Sequence, residues 1–172
     1  MAMRGRGLLL LLLCSLFGCG WRVGGAIALP PEGGRIAVVG LPVGDPLIRN
    51  LRAMVARAGG AISARRPQLV LSILKVGEKR RDLSLDEHGR AIEYELLYWI
   101  EFEIHTPDRK VLWPRDRIEL SRIYYNPQIQ VIGKAEEEQR LWEEMRREGA
   151  RLLLSRLKVA LERDAAQAES AP

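Results

Sequence analysis

The side chain with the clearest chemical task is the thiol of Cys19, which closes the run Leu16-Phe17-Gly18-Cys19. Ahead of it stand a positive start, Arg4 and Arg6, and an apolar stretch built on the six leucines Leu8 to Leu13. That is the layout of a secretory signal, too short to cross a bilayer as a helix, which takes about 20 residues. A cysteine directly after Leu-x-Gly fits the bacterial lipoprotein signal. There the thiol takes a diacylglycerol, the chain is cut before the cysteine, and the new amine is acylated. Residues 1–18 are therefore read as a signal peptide and Cys19 as a lipidated N-terminus, with that covalent lipid and no cofactor. Three acyl chains exceed the two signals that stable anchoring needs. Gly20 beside the acceptor, where Asp would suggest the inner membrane, favours the periplasmic side of the outer membrane.

No reaction centre emerges elsewhere. Cys14 falls inside the signal, so no disulfide is expected within the mature chain. His88 and His105 have no Cys, His or carboxylate at metal-ligand spacing, so no metal is expected. No Gly-x-Ser-x-Gly elbow and no phosphate-binding loop is present, and the chain is not read as an enzyme. Two basic features remain. Lys75, Lys79, Arg80 and Arg81 crowd one strand, and Lys134 stands before an acidic helix start. Such groups serve solubility and local ion pairs, or recognise phosphate; charge alone leaves both open. A net charge of +5 over 172 residues is mild, and no nucleic acid is expected as partner.

One domain of ordinary size must carry these groups. Residues 19–34, with five glycines, Pro30 and Pro31, read as a lipidated tether. Residues 35–163 read as a single domain and 164–172 as a mobile tail. Arg35 to Leu41 predicts a strand. Asp45-Pro46 opens a helix whose apolar face is Leu47, Ile48, Leu51, Met54, Val55 and Ala58, stopped by Gly59-Gly60. Gln68 to Leu85 predicts a second strand and Asp86-Glu-His-Gly89 a turn. Ile92, Tyr94, Leu96, Tyr98, Ile100, Phe102 and Ile104 then alternate with Glu93, Glu95, Glu101 and Glu103, which predicts a long strand with one buried face. Leu97 and Trp99 interrupt its polar side. A strand returns over Lys110 to Tyr125, with Pro114 pointing to an edge position or a bulge. Gly133 to about Leu161 predicts an amphipathic helix. The order β-α-β-β-β-α implies an α+β two-layer fold.

Several motifs in sequence resemble the family of LPS-assembly lipoproteins called LptE. They are Cys19-Gly20-Trp21-Arg22, Leu29-Pro30, Gly44-Asp45-Pro46-Leu47, Glu93-Tyr94-Glu95-Leu96, Arg122-Ile123-Tyr124-Tyr125-Asn126-Pro127 and Lys134-Ala135-Glu136-Glu137-Glu138. The resemblance covers nearly all of the mature chain. It implies two helices on one face of a small mixed β-sheet. It also implies a plug inside the outer-membrane β-barrel LptD, and a part in placing lipopolysaccharide in the outer leaflet. It further implies lipopolysaccharide binding by basic residues near the Asp86–Gly89 turn and the last helix. Lys134 matches the family lysine. Glu87 stands where the family has an arginine, and Arg90 is the nearest substitute, with Lys79 and Arg81 as helpers. Trp99, Trp113, Tyr124 and Tyr125 offer interface anchors or internal packing. Two other classes stay open beside the barrel plug: a lipoprotein that binds an envelope ligand without a barrel, and a lipid-anchored hydrolase.

Overall fold

The computed structural model describes residues 27–29, 34–125 and 131–169, and the side chains among them except those of 131–135. The signal peptide, Cys19, most of the tether, the Lys134 side chain and the last three residues lie outside that description. The elements are β1 (Arg35–Val39), α1 (Pro46–Arg57), β2 (Ala61–Ile62), β3 (Leu69–Leu85), β4 (Ala91–His105), β5 (Val111–Tyr125) and α2 (Val131–Glu169). The sheet order is β2-β1-β3-β4-β5. β1 runs parallel to β2 and β3, and β3, β4 and β5 form an antiparallel meander. The fold is the expected α+β sandwich of two helices on one face of a mixed sheet.

Local chemistry sets the first crossover. A parallel β1–β3 pair needs a connection that returns the chain to the same end, and α1 supplies it. Asp45 caps that helix by accepting from the Leu47 N–H at 2.8 Å, and Pro46 takes the first helical position. Gly59, at φ +88°, turns the chain out of it. Leu47, Ile48, Leu51 and Val55 are buried on its inner side.

β4 forms the centre of the core. Tyr94, Leu96, Tyr98, Ile100, Phe102 and Ile104 are all buried beneath the helices. α2 presses on this row at Gly149. A Cβ there would lie 2.8 Å from Ile100 Cδ1 and 3.0 Å from Tyr98 Cε1, so the approach needs a glycine.

Two irregularities decide where side chains point. The β3–β4 register slips between Ile73 and Lys75. Before the slip Leu69, Leu71 and Ile73 face inward. After it Glu78 and Arg80 face inward, opposite Tyr98 and Leu96, while Lys75, Lys79 and Arg81 face outward, opposite Glu101, Leu97 and Glu95. The second slip, between Phe102 and Ile104, brackets Pro114 on the edge strand β5, so the proline sits at an edge and at an irregularity together.

Three features depart from the sequence reading. The two-residue strand β2 was not expected. α2 continues to Glu169, so residues 164–169 of the expected tail are helical. Asp164-Ala-Ala-Gln-Ala are mostly good helix formers, and Asp164 also lies 3.6 Å from Lys110. Leu29, assigned to the tether, belongs to the core at 6% exposure, with its N–H on the Ala58 carbonyl at 2.9 Å.

Candidate functional site

The pleat of the sheet separates the basic residues that the sequence groups together. Arg81 lies on the outer face and binds Glu95, which also accepts from Ser121 Oγ at 2.6 Å. The Ser121 hydrogen bond, followed by that of Arg81, holds the Glu95 carboxyl below its usual range. Lys79 is two positions away on the same face, exposed, and forms no ion pair among the described residues. Arg90 lies beyond the sheet in the β3–β4 turn. Its guanidinium donates to Asp86 from Nε, at 2.8 Å, with Nη2 also at 2.8 Å. Lys134 falls in the first turns of α2. The expected ligand residues are therefore not one cluster. Arg90 and Lys134 sit at the turn and the helix start, whereas Lys79 and Arg81 occupy the opposite sheet face.

Arg80, between those two, is the basic residue that meets α2. Its Nη1 donates to Glu138 at 3.1 Å, and its Cζ lies 4.9 Å above the Tyr94 ring. Tyr94 stacks on Tyr124 with centroids 5.4 Å apart, and the Tyr124 hydroxyl donates to Glu138. Trp142 Nε1 adds a third donor at 3.2 Å. Glu138 thus ties the start of α2 to β3 and β5. Burial opposes its charge, but the Tyr124, Trp142 and Arg80 donors outweigh burial and hold its pKa below the usual range. Burial, then Glu138, pushes the Tyr124 hydroxyl up. Sequence spacing could not show this, because it depends on the β3 register slip. The Arg122-Ile-Tyr-Tyr motif contributes a packed Tyr124, at 4% exposure, and an exposed Tyr125. Tyr124 is therefore core and not a surface anchor.

A depressed carboxylate contributes stability above its unfolded pKa, about 4.3, and loses it as pH falls through the folded value. Glu138→Gln is expected to cost about 1–2 kcal/mol near neutral pH, discounted for its partial exposure. The gap should close as acid protonates the wild type. Urea midpoints of both proteins across the acid range check this.

The outer face of the sheet carries charge and aromatic surface. Gly77 lets the Trp99 indole lie across β3, since a Cβ there would stand 2.1 Å from Trp99 Cζ2. Arg117 covers the same ring at 5.1 Å and pairs with Glu119 at 2.7 Å. Glu101 lies between Arg115 at 2.5 Å and Arg117 at 3.8 Å, and the Arg115 hydrogen bond is the main reason its pKa is lowered. Trp99 is therefore covered by a side chain of the neighbouring strand β5. Glu95 and Glu101 are held in cross-strand ion pairs, and Glu93 accepts from Ser84 Oγ at 2.8 Å.

Between the helices, Pro46, Arg49, Asn50, Gln139, Glu143, Arg146 and Arg147 line a cleft of about 240 Å³. Arg146 is committed there to Glu78, at 2.8 and 3.0 Å. Among the described residues no three His, Cys, Asp or Glu side chains assemble as a metal site. No described helix is long and apolar enough to cross a membrane.

Comparison with known proteins adds an independent result. Residues 26–157 match the family described as "LptE: Lipopolysaccharide-assembly". The chain is 27% identical over 144 residues to the "LPS-assembly lipoprotein LptE" of Photorhabdus laumondii, covering 81% of this chain and 77% of that protein. It is 26% identical over 163 residues to the protein of the same description from Yersinia enterocolitica, covering 91% and 78%. Among solved structures it is similar to the uncharacterized lipoprotein B of Nitrosomonas europaea. The TM-score is 0.67 at 24% identity, over 81% of this chain and 91% of that one.

Proposed function

The chain belongs to the LptE family of lipopolysaccharide-assembly lipoproteins, and from that premise we propose that it is lipidated at Cys19 and anchored on the periplasmic side of the outer membrane. There it plugs and supports the LptD β-barrel and binds lipopolysaccharide on its way to the outer leaflet. The observation that carries this reading is the family match over residues 26–157. The surface is compatible with it. Interior walls of large barrels are polar, so a plug needs a rigid body with charged and aromatic surface more than an apolar patch. The Arg–Glu pairs and half-buried Trp99 of the outer sheet face have that character.

The deciding experiment is purification of the tagged protein from solubilised outer membrane. An outer-membrane barrel should co-purify in fixed proportion. Recovery of the lipoprotein without a barrel would favour an envelope-ligand-binding lipoprotein that acts alone.

For the ligand we assign Lys134 and Arg90, with Lys79 and Arg81 as secondary contacts. Arg90 and Arg81 already hold Asp86 and Glu95, so an incoming phosphate must share them. Lys79 has no such competitor among the described residues. Lys134→Asp with Arg90→Asp is expected to reduce binding of labelled lipopolysaccharide roughly tenfold at low salt, with a smaller gap at high salt. The barrel should still co-purify, because plug contacts spread over the whole body. Equal binding by both proteins at low salt would remove these residues from the site.

A further inference from the structure

Four arginines without an ion pair among the described residues gather at one end of the body. Between Asp45 and Glu78 the chain holds no acid, yet it holds Arg49, Arg52, Arg57, Arg65, Arg66 and Lys75. The fold draws three of these together with Arg35. Arg57 ends α1, and Ala61, just beyond it, pairs with Arg35. The connection from β2 to β3 carries Arg65 and Arg66. It is fixed to β1 by the Ser63 N–H on the Ile36 carbonyl at 2.9 Å and the Gln68 N–H on the Arg35 carbonyl at 2.8 Å. Arg35 Nε donates to the Arg66 carbonyl at 3.1 Å. All four side chains are exposed, and among the described residues none forms an ion pair. Elsewhere Arg80, Arg81, Arg90, Arg115, Arg122 and Arg146 each hold a carboxylate, and the cations that hold none, such as Lys79, Arg109 and Arg147, are scattered along β3, the β4–β5 turn and α2.

The same end receives the N-terminal segment. Leu29 is fixed to Ala58, the residue after Arg57, and the Ala61 N–H donates to the Gly34 carbonyl at 2.5 Å. Cys19 stands only eight residues before Ile27, which packs against the core. Eight residues span at most about 28 Å. A lipid on Cys19 would keep this end close to the bilayer surface and the β3–β4 turn far from it.

We propose that, before the body enters a barrel, Arg35, Arg57, Arg65 and Arg66 form a docking surface for the anionic phospholipid headgroups of the leaflet that holds the anchor, so that the free lipoprotein stands on its tether end. This rests on the reading of Cys19 as lipidated. Guanidinium forks match phosphodiester oxygens. Four neighbouring cations without ion-pair partners among the described residues repel one another, and an external row of anions relieves that repulsion. Basic residues beside an anionic surface attract it within about one Debye length, some 8–10 Å in ordinary salt. The leash lets them reach that range.

The test uses the full lipoprotein in vesicles. Ala64→Cys places a fluorophore inside the patch, and His88→Cys places one at the opposite turn. No other thiol remains free in the mature chain once Cys19 is acylated. The vesicles carry a nitroxide on their headgroups, with about 30 mol % phosphatidylglycerol in phosphatidylcholine, or phosphatidylcholine alone. The patch label should be quenched at least about threefold more in anionic vesicles at low salt, and the excess should vanish at about 0.5 M salt. Arg57→Glu, Arg65→Glu and Arg66→Glu together should abolish it, and the three Lys replacements should keep most of it. The His88→Cys label should stay unquenched.

Equal quenching in both vesicles, no response to charge reversal, or equal quenching at both ends would overturn the proposal. So would stronger quenching when lipopolysaccharide replaces phosphatidylglycerol as the anion. Flotation separates the two readings. A protein that floats with both vesicles without patch quenching keeps the anchor and refutes the patch. One that floats only with anionic vesicles at low salt keeps the patch and refutes the anchor, and one that floats with neither refutes both.

Discussion

Ile100→Asp is expected to unfold the protein. Ile100 is fully buried at the centre of β4, opposite Val76 and Ile118 and beneath Gly149 of α2. An aspartate there loses the packing of the isoleucine and buries a carboxylate within the apolar core. The cost should reach about 4–5 kcal/mol or more, against a total stability of about 5–15 kcal/mol. Loss of the cooperative urea transition, followed by circular dichroism, is the measurement. The neighbouring Glu101→Lys is the control, because it points to the other face. It places a lysine between Arg115 and Arg117, across from Lys75, so it should lower the urea midpoint clearly but keep the transition. If the two variants were equally damaging, the assignment of the two sheet faces would be wrong.

Cys19→Ala is expected to carry the largest effect on location. Without the acceptor thiol the chain cannot take its acyl chains. Nearly all of it should appear as soluble domain or as uncleaved precursor, and the lipid mass should be absent. Each acyl methylene contributes about 0.8 kcal/mol of membrane affinity, so no single surface contact replaces the anchor. The domain itself should keep its wild-type urea midpoint, because the first described contact with the core is Ile27, well after the substituted position. A protein that retains its lipid after the substitution would exclude Cys19 as the acceptor.

The elements that sequence reading locates best are those whose signals are local. The period of two in β4 holds from Tyr94 to Ile104, because the face beneath α2 must be apolar at every second residue, whereas Ile92 at the strand start is only half-buried and Glu95 of the other face is buried too. The cap of α1 is read from Asp45 and Pro46 alone, and the hydrogen bond is present. β2 escapes because two residues carry no period, and it exists only through pairing with Arg35 and Ile36. Leu29 escapes because its glycine- and proline-rich neighbourhood hides one buried side chain. For the ligand residues, the sequence places Arg90 at a turn and Lys134 at a helix start. It could not show that the slip after Ile73 turns Arg80 toward Glu138 and leaves Lys79 and Arg81 on the outer face. It also could not show which arginines are already matched by carboxylates, since most of those pairs join residues of different elements.

The way this sheet ends on either side bears on how the chain avoids joining its own copies. An open sheet presents unpaired backbone groups at its margins, and these are templates for joining another copy edge to edge. One margin, β2, is only two residues long and offers little to copy. The other, β5, is 15 residues long, but Pro114 removes one N–H and the adjacent slip breaks the ladder. Arg115, Asp116, Arg117, Glu119 and Arg122 keep it charged along its length. Two like strands approaching in parallel or antiparallel fashion would meet a missing donor and would have to desolvate those charges. The stretch without these safeguards is the last turn of the margin, where Ile123 and Tyr125 are 63% and 54% exposed. The tendency of the folded chain to join its own copies edge to edge is thus confined to the far end of one strand.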